Sequence, residues 1–403
     1  MKGLLGLVLS SFLLAACQEA PETDAAPGEP VLAIHNGRLW DGSGGPVVAD
    51  GVVVIRGNRI EAAGPASEVK IPEGARRIDA GGGFIMPGVI DNHVHLNMLL
   101  EKEPDPLTRW LRAGVTTIVD TGTAKGTVAR LRERVAAASK TPPRLFVAGP
   151  IFTAPDGYPA PRREPGVVEV AEGVATPEEA EAKVDRLLGE EKADLVKVAI
   201  ESGFFSDYDA KDGWPVPSPP VLAALGRAAH RHGRTIRAHV TQPGELAAAL
   251  DAGFDGTAHT PIVDLPEELL ARAARARMIF VSTANIWEDP NLTAPVRKNL
   301  ARYVRLGGRI ALGTDVPFQK GSEMPLGEMR LLVEGGLTPR DVLLAATRDG
   351  AEALGKGNEL GTLAPGKLAD LIVVPRDPLV RIEDLGVVTV VVRDGEVIVH
   401  PPL

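Results

Sequence analysis

Met86-Pro87-Gly88-Val89-Ile90-Asp91-Asn92-His93-Val94-His95 is the stretch from which the fold is read. An apolar run at 82–90 leads into two histidines two residues apart. Side chains alternate faces along a strand, so His93 and His95 share one face at its C-terminal end. Seven more apolar runs follow, at 116–120, 145–149, 195–200, 235–239, 256–259, 279–282 and 310–315. Helical stretches separate most of them. One opens on Thr176-Pro177-Glu178-Glu179, a capping box with proline at the first helical position. Others, at 221–231 and 266–276, carry alanine and leucine at helical spacing. Eight strands alternating with helices over roughly 270 residues have the size and rhythm of an α/β (β/α)8 TIM barrel. A doubly wound open sheet fits less well. The strand count is too high, and Gly81-Gly82-Gly83 lacks the spacing and following helix of a phosphate loop.

Outward from this middle, the pattern changes to short β-type runs at 31–35, 51–55 and 59–63, separated by turn signals such as Asn36-Gly37 and Gly57-Asn58. The far end is strand-like again at 369–374 and 387–392, and Arg393-Asp394-Gly395 makes a hairpin turn before Val397. Both termini are therefore expected to fold together, 31–86 with 356–403, around a barrel spanning 87–355.

The first thirty residues read differently. Lys2 and an apolar stretch at 4–14 precede Leu14-Ala15-Ala16-Cys17, the layout of a secretory signal too short for a stable transmembrane helix. This resembles the bacterial lipoprotein cleavage box. It implies a signal peptide at 1–16, lipidation of Cys17, and a Pro- and Ala-rich tether over 17–30. The expected location is outside the cytoplasm, anchored to a membrane on the periplasmic side. Gln18 after the cysteine suits outer-membrane sorting. Cys17 is the sole cysteine, so the folded part has no disulfide and any metal site there uses nitrogen and oxygen ligands. With 403 residues, one large domain plus a smaller one is the natural expectation. The net charge of −9 argues against nucleic acid, which needs a basic face.

Chemistry gathers at strand ends. His239 ends the fifth run, His259 the sixth, and Asp315 the eighth in Gly313-Thr314-Asp315. With His93 and His95, these five share the rim where barrel enzymes place catalytic groups. Imidazoles plus a carboxylate suit zinc and its neighbours. Lys197 lies inside an apolar strand, where an ammonium without a partner is costly. It is either a salt-bridged core lysine or, after reaction with CO2, a carbamate able to bridge two cations.

These residues, with Gly335-Gly336-Leu337-Thr338-Pro339, Ala345-Ala346-Thr347 and residues 360–370, resemble the amidohydrolase superfamily, especially its imidazolonepropionase-like and Xaa-Pro dipeptidase-like branches. The resemblance covers the chain from about residue 31 to its end. It implies a small β-sandwich built from both termini. It also implies two divalent metal ions, preferably Zn2+: His93, His95 and Asp315 on one, His239 and His259 on the other, and carbamylated Lys197 between them. Asp315 would accept a proton from the attacking water and return it to the leaving nitrogen. The implied reaction is hydrolysis of a C–N bond in a small amide, dipeptide-like or cyclic amide substrate. An ester, lactone or phosphotriester hydrolase, or a metal-free binding lipoprotein, are the rivals. Homo-oligomerisation is left open.

The second strand reads Val119-Asp120 in place of a frequent Arg-Asp pair, and Arg237 is the residue expected to supply a positive charge beside Asp120 and to contact substrate. Loops after the third and fourth strands offer Tyr158, Arg162, Arg163, Tyr208 and Trp214 as substrate contacts. His230 and His232 are expected at a helix end before Gly233.

Overall fold

The computed structural model describes residues 29–102, 105–139, 141–159, 170–203, 213–286, 289–318 and 323–399. The expectations for the leader, Cys17, Arg162, Arg163 and Tyr208 lie outside the described residues. Five strands open the chain: β1 (Val31–Leu39), β2 (Val48–Arg56), β3 (Arg59–Pro65), β4 (Arg76–Asp79) and β5 (Phe84–Pro87). Next come β6 (Val89–Val94), β7 (Val115–Asp120), β8 (Arg144–Val147), β9 (Ile151–Thr153), β10 (Ala171–Gly173), β11 (Val196–Ala199), β12 (Ile236–His239), β13 (Gly256–Thr257), β14 (Ile279–Val281) and β15 (Arg309–Ala311). The chain closes on β16 (Leu371–Val374), β17 (Val390–Arg393) and β18 (Glu396–Val399).

Strands from both termini do meet. They pair in one eight-stranded sheet, ordered β18-β17-β16-β5-β1-β2-β3 with β4 beside β1. The sheet has its own apolar cluster, in which Ile34, Val53 and Ile55 from the N-terminal part pack with Leu371, Val373 and Val392 from the C-terminal part.

In the middle, β6, β7 and β8 run parallel, as do β11 to β15. Backbone hydrogen bonds join the two groups at both seams. Asp194 N donates to Val147 O at 2.8 Å on one side. On the other, Asn92 N donates to Leu312 O (2.8 Å), Asp315 N to His93 O (2.7 Å) and His95 N to Val316 O (2.8 Å). Eight parallel strands thus close on themselves, as in a (β/α)8 barrel.

The expected first run, 82–90, is divided at Gly88. Its first half, β5, belongs to the terminal sheet, and its second half opens the barrel as β6. Glycine is needed at the junction because a Cβ there would come within 2.2 Å of Thr116 Oγ1. Strands β9 and β10, unexpected from the sequence, pair alongside β11 in the segment after the third barrel strand.

Helices cover the barrel for the reasons their patterns suggest. Pro177–Gly189 starts on Thr176, whose side chain accepts from Glu179 N, while Glu179 reaches back to Ala175 N. Pro219–Arg231 buries Val221, Leu222, Leu225 and Ala228 on one face. It ends at His232 before Gly233, whose φ of 64° suits glycine. His230 pairs there with Asp255 (2.9 Å) and His232 with Asp185 (2.7 Å), both away from the barrel mouth. None of the described helices is long and apolar enough to cross a membrane.

Candidate metal centre

His93 is fully buried at the end of β6. Its Nδ1 stands 2.7 Å from the carbonyl of Ala258. A carbonyl can only accept, so Nδ1 carries the hydrogen and Nε2 keeps its lone pair. That Nε2 lies 3.3 Å from His95 Nε2 and 3.3 Å from Asp315 Oδ1, and His95 Nε2 lies 3.1 Å from the same oxygen. Asp315 Oδ1 is buried and has no hydrogen-bond partner. A carboxylate oxygen and a lone-pair nitrogen, packed this closely, repel each other unless positive charge sits among them. The donor set therefore fits a divalent cation of the zinc type.

Asp315 is aimed by its backbone. Its φ is 59°, a left-handed conformation that aspartate tolerates better than most residues. The turn is clamped by Asp91, which is 4% exposed. Asp91 Oδ1 accepts from His93 N and Thr314 N, both at 3.1 Å, and Oδ2 accepts from Thr314 Oγ at 2.6 Å. One carboxyl thus ties the first barrel strand to the eighth. Burial pushes its pKa up to about 7, against those three hydrogen bonds.

The remaining predicted residues face the same space. Lys197 Nζ is 3.5 Å from His93 Nε2, and burial pushes its pKa down to about 8. The imidazole of His259 packs between those of His93 and His239, with ring centroids at 4.5 and 4.6 Å. Burial, then the positive neighbours His239 and Lys197, hold His259 well below the ordinary histidine range, so it stays neutral. Its Nδ1 lies 3.0 Å from Thr283 Oγ and 3.7 Å from Asp315 Oδ2. All six side chains converge, though only His93, His95 and Asp315 form a tight ligand triad among the described residues.

The expectation for Arg237 is corrected. Its guanidinium bonds Asn92 O (3.1 Å), Asn92 Oδ1 (3.0 Å) and Ala353 O (2.8 Å), and the residue is 2% exposed. Those oxygens satisfy a buried cation that water cannot reach, which leaves it as a tie inside the barrel and not a substrate contact. Asp120 accepts instead from Leu96 N (2.8 Å) and Gly122 N (3.3 Å). Tyr158 does reach the site: its ring is 4.9 Å from His239 and 6.3 Å from Trp214. Phe318, exposed, stands edge-on to His95 at 5.5 Å.

Two acids were missed by sequence reasoning. Glu201 is buried beside His239, with Oε2 3.3 Å from Nε2. Burial opposes its charge, but hydrogen bonds from His239, Gly203 and Thr241 and the charge of His239 outweigh it, holding the pKa down to about 2. Glu328, also buried, accepts from Ala284 N (2.9 Å) and Asn285 N (2.7 Å) and so shapes the loop that presents Thr283 to His259. A strand-end position four residues after Lys197 was the available signal for Glu201; Glu328 sits in a helix and gave none.

Known proteins resemble this chain in sequence and in fold. The chain is 27% identical over 372 residues to an imidazolonepropionase of Methylobacterium nodulans, covering 84% of this chain and 92% of that one. It is 26% identical over 379 residues to a 5-methylthioadenosine/S-adenosylhomocysteine deaminase of Symbiobacterium thermophilum, covering 85% of each. The fold superposes on a Xaa-Pro dipeptidase solved with methionine in its active site, with a TM-score of 0.78, 22% identity, and coverage of 91% and 99%. The model of the Amidohydrolase family matches residues 84–398, well over half of the chain, and the chain belongs to that family.

Proposed function

We propose that the chain is a metal-dependent hydrolase that cleaves the C–N bond of a small amide, dipeptide-like or cyclic amide substrate. The observation that carries this reading is the triad of His93 Nε2, His95 Nε2 and Asp315 Oδ1 at 3.1–3.3 Å, with the carboxylate oxygen buried and without a hydrogen-bond partner. In this proposal His93, His95 and Asp315 hold one Zn2+, His239 and His259 a second, and carbamylated Lys197 is shared. A cation so placed supplies Lewis-acid polarisation of the scissile carbonyl and ionises water near neutrality.

The chain's own groups do the rest. The depressed pKa of Lys197 keeps part of the amine neutral at physiological pH, and neutral amine is the form that adds to CO2, releasing a proton. The neutral state of His259 keeps a ring lone pair free for ligation. Asp315 is the proton carrier: buried beside the reacting space, it accepts a proton from attacking water and returns it to the leaving nitrogen. Tyr158 and Trp214 on one side, and Phe318 on the other, offer apolar faces to the parts of the substrate that do not react. Similarity to an imidazolonepropionase and a deaminase supports C–N chemistry. Lipid anchoring through Cys17, outside the cytoplasm, is part of the same proposal and is read out by mass spectrometry of the mature N-terminus.

The test is metal analysis of protein purified without chelator, followed by a panel of N-acyl amino acids, Xaa-Pro dipeptides, hydantoins, lactones and paraoxon. Bound zinc with turnover confined to the C–N substrates is the expected result. Turnover of the lactones or paraoxon alone transfers the assignment to ester-type chemistry, and a protein that takes up no zinc, manganese or cobalt refutes the reading.

A further inference from the structure

We infer that Glu201 is a positioning residue for His239: its carboxylate takes the Nε2–H of that imidazole, which makes Nδ1 the nitrogen offered to a cation. The inference deepens the metal-centre reading and rests on it. Glu201 follows β11 and is 1% exposed. It is held from two sides, by Gly203 N on Oε1 at 2.9 Å and by Thr241 Oγ on Oε2 at 2.8 Å. Its Oε2 faces His239 Nε2 at 3.3 Å. A carboxylate only accepts, so the ring nitrogen facing it must carry the hydrogen, and the lone pair passes to Nδ1.

The other two central imidazoles are tied differently. His93 gives its Nδ1–H to a carbonyl, which leaves Nε2 for ligation. His259 has its Nδ1 on the hydroxyl of Thr283. Both of those partners are neutral. His239 is therefore the imidazole of the three whose anchored nitrogen lies within hydrogen-bond distance of a charged acceptor. A carboxylate behind a ligating histidine fixes its tautomer and raises the basicity of the opposite nitrogen. The fold thus builds unequal halves, with Glu201 strengthening only the half that His239 serves. Among the described residues, the Glu201 carboxylate bonds Gly203, Thr241 and His239, and these stand on the His239 side of the centre.

Glu201→Ala and Glu201→Gln in the full chain test this. The first reading is the nitrogen-15 spectrum of metal-free, histidine-labelled protein, recorded at a pH where the His239 ring is neutral, with its signals identified by their loss in His239→Asn. The wild type should show a protonated Nε2 and a bare Nδ1. Glutamine, whose amide oxygen still accepts, should keep that tautomer, and alanine should give a mixture. The second reading is a zinc titration. The weaker-bound or second equivalent should lose about ten- to a hundredfold in affinity in Glu201→Ala and less in Glu201→Gln, with the other equivalent unchanged. A wild-type His239 protonated on Nδ1 overturns the inference, as does an alanine variant that weakens both equivalents alike or neither. A wild type that binds no zinc defeats the metal reading itself, while the tautomer spectrum still decides the role of Glu201.

Discussion

Replacing Asp91 probes the joint on which the centre is hung. In Asp91→Ala, the backbone N–H groups of His93 and Thr314 lose their acceptor inside a barrel that excludes water. The Thr314 hydroxyl has a fallback in His93 O at 3.4 Å, so two donors and not three are orphaned. At about 1–3 kcal/mol for each buried unsatisfied donor, the loss of stability is about 2–6 kcal/mol. Asp91→Asn is different. Its amide oxygen still accepts both N–H groups, the hydroxyl reorients, and burial already disfavours the charge that the substitution removes. Its cost should stay near about 1 kcal/mol. Urea denaturation of both metal-free variants against wild type measures the two numbers. Equal costs, or an alanine variant within about 0.5 kcal/mol of wild type, would show that the strand-one to strand-eight clamp does not bear on stability.

Further outcomes follow from the same geometry. Asp315→Asn should fold, because asparagine accepts the left-handed backbone at this position, yet turnover should fall by about 10²–10⁴-fold; near-wild-type kcat at full metal occupancy rules out the proton-carrier role. Exhaustive chelation should abolish turnover, and free zinc at about a thousand times its Kd should restore about 4 kcal/mol of stability, so a Tm indifferent to zinc contradicts the centre. Burial pushes Glu328 up to about 7, so the folded state binds that proton more tightly than the unfolded state does. The stability it contributes is present below the unfolded pKa and is lost as pH rises toward about 7. Glu328→Gln should accordingly gain on wild type between about pH 4.5 and 7.5, and a difference that stays flat across this window refutes the assignment.

Much of the centre was legible because strand periodicity is a local property. Two residues apart on a strand means one face, which placed His93 with His95. The alternation of apolar runs with helices then placed His239, His259 and Asp315 on the same rim. The β-type runs at both ends announced a shared sheet. What misled was charge. Arg237 shares a face with His239, as its spacing requires, yet its guanidinium is spent on Asn92 and Ala353. Face is set by the backbone two residues away, whereas partner choice is set by whichever oxygens the closed barrel brings within reach. The division at Gly88 was hidden for a similar reason: an apolar run does not record which of two sheets takes each half.

From the amino-acid order alone came the strand rhythm, the ligand types and the absence of a thiol beyond Cys17. Only the tertiary structure decided that Asp91 locks strand one to strand eight, that His93 shows its Nε2, and that Glu201 stands behind His239. Those are contacts between residues 38 to 223 positions apart, made by closure of the sheet, and no local pattern encodes them.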